Sequence, residues 1–331
     1  MSSEPQDTAK RTERFTVTPE QYVRFAWAGL IALSVIVATG AAVRLSGSGL
    51  GCPTWPKCYG NLYPPLRSHA VIEFGNRVLS VPLVLATGLA WVAALRRRPR
   101  RRDLVWISSL LPLGVVAQAV LGGFTVKGAL DYGWVMAHFC LSMLILVAAV
   151  VLLWRSKHEA GWQPLRRVDR TMVVLGRVLA GMATITIVAG TAATAAGPHA
   201  GGSPGQKINR MSFDGTGTMD FVIHRHAEIA FVFSLLALLT WWLGRRRSAP
   251  RALMRPLTLL LITLALQGIV GLDQYFLKLP TELVWIHVCI ATAAWVTTMW
   301  CLCVTETHAP REEPDPVEHS VSAPAHQAVE A

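Results

Sequence analysis

Charge is scarce in this sequence. Asp, Glu, Lys and Arg make up 15% of its 331 residues, against about 25% in an ordinary soluble protein. With 52% hydrophobic residues, that deficit excludes a chain folded in water and places most of it in lipid. Acidic residues are the scarcer sign, 20 against 31 basic, for a net charge of +11. Such a surplus can mark a nucleic-acid binder. Here the basic residues instead fill short loops between apolar runs, which is a pattern of membrane topology. No nucleic acid is expected as a partner. The first apolar run has no short h-region and no small-residue cleavage site before a polar mature domain, so it reads as a retained anchor. No second Cys or His pair stands at ligand spacing, which argues against structural zinc.

What is present is a series of apolar runs, each long enough at roughly 20 residues to cross a bilayer. They cover 23–44, 71–95, 104–124, 133–154, 172–195, 221–243, 253–272 and 282–304. The expected fold is therefore an all-α integral membrane protein with eight transmembrane helices. Residues 1–22 and 305–331 read as polar tails without a packed core. The loops 96–102, 155–170 and 245–255 hold sixteen basic residues, and the alternate loops and helix ends hold seven. By the positive-inside rule both termini then face the cytoplasm of a plasma (inner) membrane protein. The loops 45–70, 125–132, 196–220 and 273–281 face outside.

Cys140, Cys289, Cys301 and Cys303 fall in apolar runs and read as packing residues. Cys52 and Cys58 lie in the Gly/Pro-rich outer loop SGSGLGCPTWPKCYGNLYPP. On that oxidising side the pair is expected to form a disulfide, as a loop staple or as a redox-responsive pair.

The chain repeats itself. QAVLGGFTVKGALDYGWVMAHFCLSML matches QGIVGLDQYFLKLPTELVWIHVCIATA without a gap, pairing Gln118 with Gln267, Gly122 with Gly271 and His138 with His287. TGAAVRLSGSG faces AGTAATAAGPHAGG, and EFGNRVLS faces FVIHRHAEI, which sets Asn76-Arg77 against His224-Arg225. Two pseudo-symmetric four-helix bundles follow, 23–154 and 172–304, joined by a basic linker over 155–171. An even number of helices separates them, so they are parallel repeats.

His138, His224 and His287 fall roughly 6–9 Å inside the outer edge, at about 1.5 Å per residue, and Asn76 falls at the same depth. Neutral imidazole is a metal and haem ligand, and bundles build such sites from facing helices. His224 and His287 are the expected ligand pair of the second bundle, with Arg225 as a carboxylate partner. His226 stands about 200° around the helix from His224 and is expected to face away. His226, Glu228, His69 and His199 are left without a role. The first bundle keeps His138 and Arg77, has Asn76 where a second imidazole would stand, and adds Glu73. Glu73 and Arg77, four residues apart, can form a structural pair. The alternative is an asymmetric pocket with one imidazole and a carboxylate beside a reacting group.

The SGSGLGCPTWPKCYG loop, the following IEFGNR, the IHR of the sixth run and the two Gln-to-His runs resemble haem A synthases over residues 23–304. The resemblance implies an enzyme that oxidises the C8 methyl of haem O to formyl, giving haem A for cytochrome oxidase. It implies haem b on His224 and His287, with haem O as substrate. It implies that His138, Asn76 and Arg77 lie at the substrate and that Glu73 is catalytic. Cys52 and Cys58 match the family's loop cysteines. It further implies an external electron donor and a haem O synthase as partners. Many members carry His where this chain has Asn76, so one imidazole of the substrate site is in question here. A non-catalytic diheme cytochrome would need two paired-histidine sites, and a transporter with parallel repeats would not need a layer of histidines. The sequence does not say whether the chains oligomerise.

Overall fold

The computed structural model describes residues 16–158, 168–213 and 217–307. The tails and most of the basic linker lie outside these residues. Eight helices are long and apolar enough to cross a membrane: α1 Pro19–Leu45, α2 Ser68–Arg96, α3 Arg102–Lys127, α4 Tyr132–Lys157, α5 Arg170–Ala196, α6 Thr218–Arg246, α7 Arg251–Phe276 and α8 Thr281–Thr307. Among the described residues only isolated bridges stand for β structure. At 26 to 29 residues and about 1.5 Å per residue, each helix outruns the roughly 30 Å hydrocarbon core.

Every helix extends past its apolar run, and three of them begin at polar caps that sit outside it. Thr18 and Gln21 form a capping box around Pro19. The Asp131 carboxylate accepts from Gly133 N–H, and Asp169 accepts from Met172 N–H. These caps satisfy donors that helix starts leave free. Residues 19–22, expected in the N-terminal tail, are therefore the first turn of α1. Helix α2 is two segments, Ser68–Val78 and Ser80–Arg96. The break at Leu79 falls one turn before Pro82, whose missing N–H frees the Val78 carbonyl.

Each helix packs on its neighbour in sequence, α4 closes back on α1, and α8 closes back on α5. The two rings of four share a seam in which α4 touches α5 and α8 touches both α1 and α4. Half of the apolar window of α8 is buried within the protein, the largest share of any span. Its indoles clamp the seam. Trp295 Nε1 donates to Met143 C=O on α4 at 3.0 Å, and Trp285 Nε1 donates to Ala38 C=O on α1 at 2.9 Å. From α4, Trp154 Nε1 donates to Thr307 Oγ1 at 2.9 Å.

Trp295 is 5% exposed. Replacing it with alanine is expected to cost about 3–5 kcal/mol, read as an earlier thermal transition in detergent. Trp295→Phe keeps a ring, loses the hydrogen bond and is expected to cost about 1 kcal/mol. Equal melting of both variants and the wild type would show that this indole does not clamp the bundles.

One end of the molecule carries the cysteine loop, and the other carries the arginine-rich loops. At the cysteine-loop end the two long connections, 46–67 and 197–213, bind each other. Gly49 N–H donates to Gly201 C=O at 2.8 Å, and Ser203 Oγ donates to Gly47 C=O at 3.0 Å. Asn209 ties the second connection to Asp131, the cap of α4.

Candidate functional site

The α3–α4 and α7–α8 pairs build the same wall twice. His138 stands six residues after Tyr132, and His287 six residues after Thr281. Side chains lean toward a helix N-terminus, so both imidazoles lean toward the cysteine-loop end. Each ring rests on a glycine of the preceding helix. A Cβ on Gly122 would stand 3.3 Å from Cε1 of His138, and one on Gly271 would stand 3.4 Å from Cε1 of His287. One turn back, Gln118 Nε2 donates to His138 C=O at 3.0 Å and to Ser142 Oγ at 2.5 Å. Among the described residues, Nδ1 of both histidines and Oε1 of Gln118 and Gln267 are buried without hydrogen-bond partners. A buried unpaired polar atom costs about 1–3 kcal/mol. The same orphans at the same place in both halves mark sites shaped for a group beyond the protein.

The opposite wall of the second bundle corrects one expectation. His226, not His224, faces His287: the two ring centroids are 6.3 Å apart with planes at 71°. The His226 ring lies against Gly190 of α5, where a Cβ would stand 3.0 Å from Cε1, and its Nδ1 is buried. His224 is exposed, hydrogen-bonded through Nδ1 to Asp220 C=O at 2.7 Å and set edge-on to Tyr275. Arg225 is exposed with it, paired with Glu228 and lying over Phe221. It is turned away from the imidazole pair rather than toward it.

The reason is helical periodicity. The buried face of α6 is Val222, Phe233, Ala237, Thr240 and Gly244. His226 stands four residues after Val222 and seven before Phe233, so it lies on that stripe and His224 does not. The repeat contains the same signal. Gly40 and Gly190 are 150 residues apart, and that step from Asn76 lands on His226. Matching the dipeptides Asn-Arg and His-Arg slipped the register by two.

In the first bundle the structure gives Glu73 and Arg77 a shared task. Glu73, 6% exposed, accepts from Cys52 N–H at 2.6 Å through Oε2 and from Arg77 at 2.5 Å through Oε1. The Arg77 guanidinium also donates to the carbonyls of Cys52 and Thr54, both at 2.9 Å, and of Pro56 at 3.2 Å. The sequence placed Arg77 beside a substrate. The structure commits its donors to the cysteine loop. That loop is closed by the Cys52–Cys58 disulfide, with Cα atoms 4.7 Å apart and both cysteines fully buried. Asn76, on the same stretch of α2, keeps Oδ1 buried and without a partner. Two histidines without an assigned role are loop fasteners. His69 Nδ1 bonds Ser48 Oγ at 2.9 Å, and His199 Nε2 donates to Leu279 C=O at 2.7 Å.

Among the described residues no three His, Cys, Asp or Glu side chains gather as a bare metal ion would need. Paired imidazoles suit a metal that brings its own equatorial ligands, as a haem does. The 6.3 Å between the His226 and His287 rings leaves room for one metal atom with a bond of about 2.0 Å on each side.

The chain is similar to known proteins. Residues 23–299 match the family described as cytochrome oxidase assembly protein, COX15-CtaA. The chain is 34% identical over 136 residues to a Heme A synthase of Geobacillus thermodenitrificans, covering 40% of this chain and 42% of that protein. It is 31% identical over 161 residues to a Heme A synthase of Lysinibacillus sphaericus, 47% of this chain and 50% of that one. It is also 27% identical over 292 residues to a Protoheme IX farnesyltransferase of Thermus thermophilus, 82% of this chain and 46% of that protein. The chain thus spans half or less of the length of each of these relatives.

Proposed function

The chain belongs to the COX15-CtaA family of cytochrome oxidase assembly proteins, and on that premise we propose that it is a haem A synthase. It oxidises the C8 methyl of haem O to formyl through successive hydroxylations, and the haem A produced serves cytochrome oxidase. The observation that carries this reading is the imidazole pair of the second bundle, His226 and His287, spaced for one metal atom. These two residues hold haem b, which when bound supplies one-electron chemistry. With an imidazole on each side, they would hold the group in place and leave it to carry electrons.

His138 holds the substrate haem from α4, and Gln118 fixes the backbone at that point through the His138 carbonyl. Glu73 and Arg77 act through the cysteine loop, which they bind to the end of the first bundle. The loop covers that end of the bundle and limits the access of bulk water to the reacting carbon. The carboxylate of Glu73 already serves two donors, so its part is to hold the loop rather than to touch the methyl group.

The arginine-rich loops lie in the cytoplasm with both termini, and the cysteine loop lies on the outer face, as the distribution of basic residues supports. Bundles 23–154 and 172–304 divide the substrate from the electron-carrying haem. An external donor supplies electrons, and a haem O synthase supplies the substrate. The similarity to a protein named for farnesyl transfer to protohaem IX supports that second link.

The test is to express the chain with haem O and to analyse extracted haems by mass spectrometry. Hydroxylated and formyl products are expected. Haem O recovered unchanged from a folded, haem-loaded sample with reductant and oxygen present would overturn the reading.

A further inference from the structure

The two bundles share the wall formed by α3–α4 and α7–α8 but differ on the wall that faces it. In the second bundle the His226 ring covers Gly190, so that a Cβ there would stand 3.0 Å from its Cε1. The equivalent positions of the first bundle are Gly40 on α1 and Asn76 on α2, each 150 residues earlier. A Cβ added to Gly40 would meet nothing within 4 Å. The side chain that replaces the imidazole is shorter, and its carboxamide oxygen is buried without a hydrogen-bond partner. On the shared wall, His138 keeps the same seat on Gly122 that His287 has on Gly271.

The geometry points to a binding site for a small neutral molecule of one or two heavy atoms, water or a diatomic gas, between Gly40 and Asn76, opposite His138. It rests on the proposal that the first bundle receives the substrate haem. Three observations converge on it. The space over Gly40 is open where its counterpart is filled by a ring. Asn76 presents an unpaired acceptor, and the carboxamide also carries donors, so it can bind a small polar or polarisable guest from either end. Neutral carboxamide is a far poorer partner for haem iron than imidazole, the ligand haem proteins use. The face of the substrate haem turned toward α1 and α2 is then open to an outside molecule, while the haem held by His226 and His287 is closed on both faces. The duplication has split into one half that binds a reactant and one half that carries electrons.

Carbon monoxide is the probe. The full-length protein in detergent, loaded with haem b and haem O and reduced with dithionite, is titrated with the gas and followed in the Soret band. One CO per two haems is expected. Asn76→His fills the space with an imidazole and is expected to weaken CO binding at least tenfold, with a low-spin ferric spectrum and unchanged haem content. Gly40→Val fills the same space from α1, retains Asn76, and is expected to weaken CO binding likewise. Asn76→Val leaves the space open, so CO still binds but its stretching band shifts. Wild-type protein that holds two haems and binds no CO would overturn the site. So would full CO affinity in both filled variants, and an unshifted band in Asn76→Val would remove Asn76 from it. Failure of the chain to take up haem O at all is a different result, and it strikes the underlying proposal instead.

Discussion

Replacing His226 with alanine is expected to strip the purified protein of its retained haem, while His224→Ala keeps it. The two histidines stand two residues apart on α6 and differ in one respect that matters. His226 lies on the buried stripe, rests on Gly190 and faces His287 across 6.3 Å. His224 points outward beside Tyr275 and spends Nδ1 on its own helix. Losing the hydrogen-bond partner of a metal-bound histidine commonly costs about 10–100-fold in metal affinity, and losing the ligand itself costs more. Haem affinity should therefore fall by more than about 100-fold in His226→Ala. The ratio of Soret to protein absorbance after purification should drop with it, and should stay at the wild-type value in His224→Ala. His287→Ala should behave as His226→Ala does. Imidazole added to His226→Gly is expected to restore part of the haem, because the ring-shaped space over Gly190 remains. The opposite pattern, with haem lost in His224→Ala and kept in His226→Ala, would return the ligand to the exposed face and refute the pairing.

That prediction also shows how far the sequence reaches. The eight helices are legible because a bilayer demands about 20 apolar residues of each, and no tertiary contact is needed to meet the demand. The shared wall is legible because Gln118, Gly122 and His138 recur at the same spacing in Gln267, Gly271 and His287. The other wall is not read from local likeness. His224-Arg225 resembles Asn76-Arg77 as a pair of letters, yet the face of α6 that packs inward is set by Val222, Phe233 and Ala237. A pattern spread over several turns decides it, not a dipeptide. The partners of Glu73 are harder still. Its ion pair with Arg77 is visible as a four-residue spacing, but the bond to Cys52 N–H spans 21 residues of sequence, most of them loop. Only the folded connection brings that amide down onto α2.

Breaking this connection is expected to have the second largest effect. In Glu73→Ala the Cys52 amide and the Arg77 guanidinium both lose their carboxylate, in a place where Glu73 was 6% exposed. Removing one partner of a buried pair costs about 3–5 kcal/mol, since the other is left uncompensated. At about 1.4 kcal/mol per tenfold, the cysteine loop should open roughly 100- to 4,000-fold more often. Because Cys52 and Cys58 are fully buried, the disulfide is reached by a reductant only through such openings. Reduction by dithiothreitol, followed by alkylation and mass spectrometry of the loop peptide, should accelerate by at least about 100-fold in Glu73→Ala relative to the wild type. Haem A formation should fall with it while the haem of the second bundle is retained. Arg77→Gln removes the donors that hold the Cys52, Thr54 and Pro56 carbonyls and should loosen the same loop with Glu73 still in place. This double result separates two roles for the carboxylate. If Glu73 acts through the loop, both variants lose activity and gain disulfide reactivity together. If it acts on the substrate itself, Glu73→Ala loses activity with the disulfide still protected, and Arg77→Gln keeps most of its turnover.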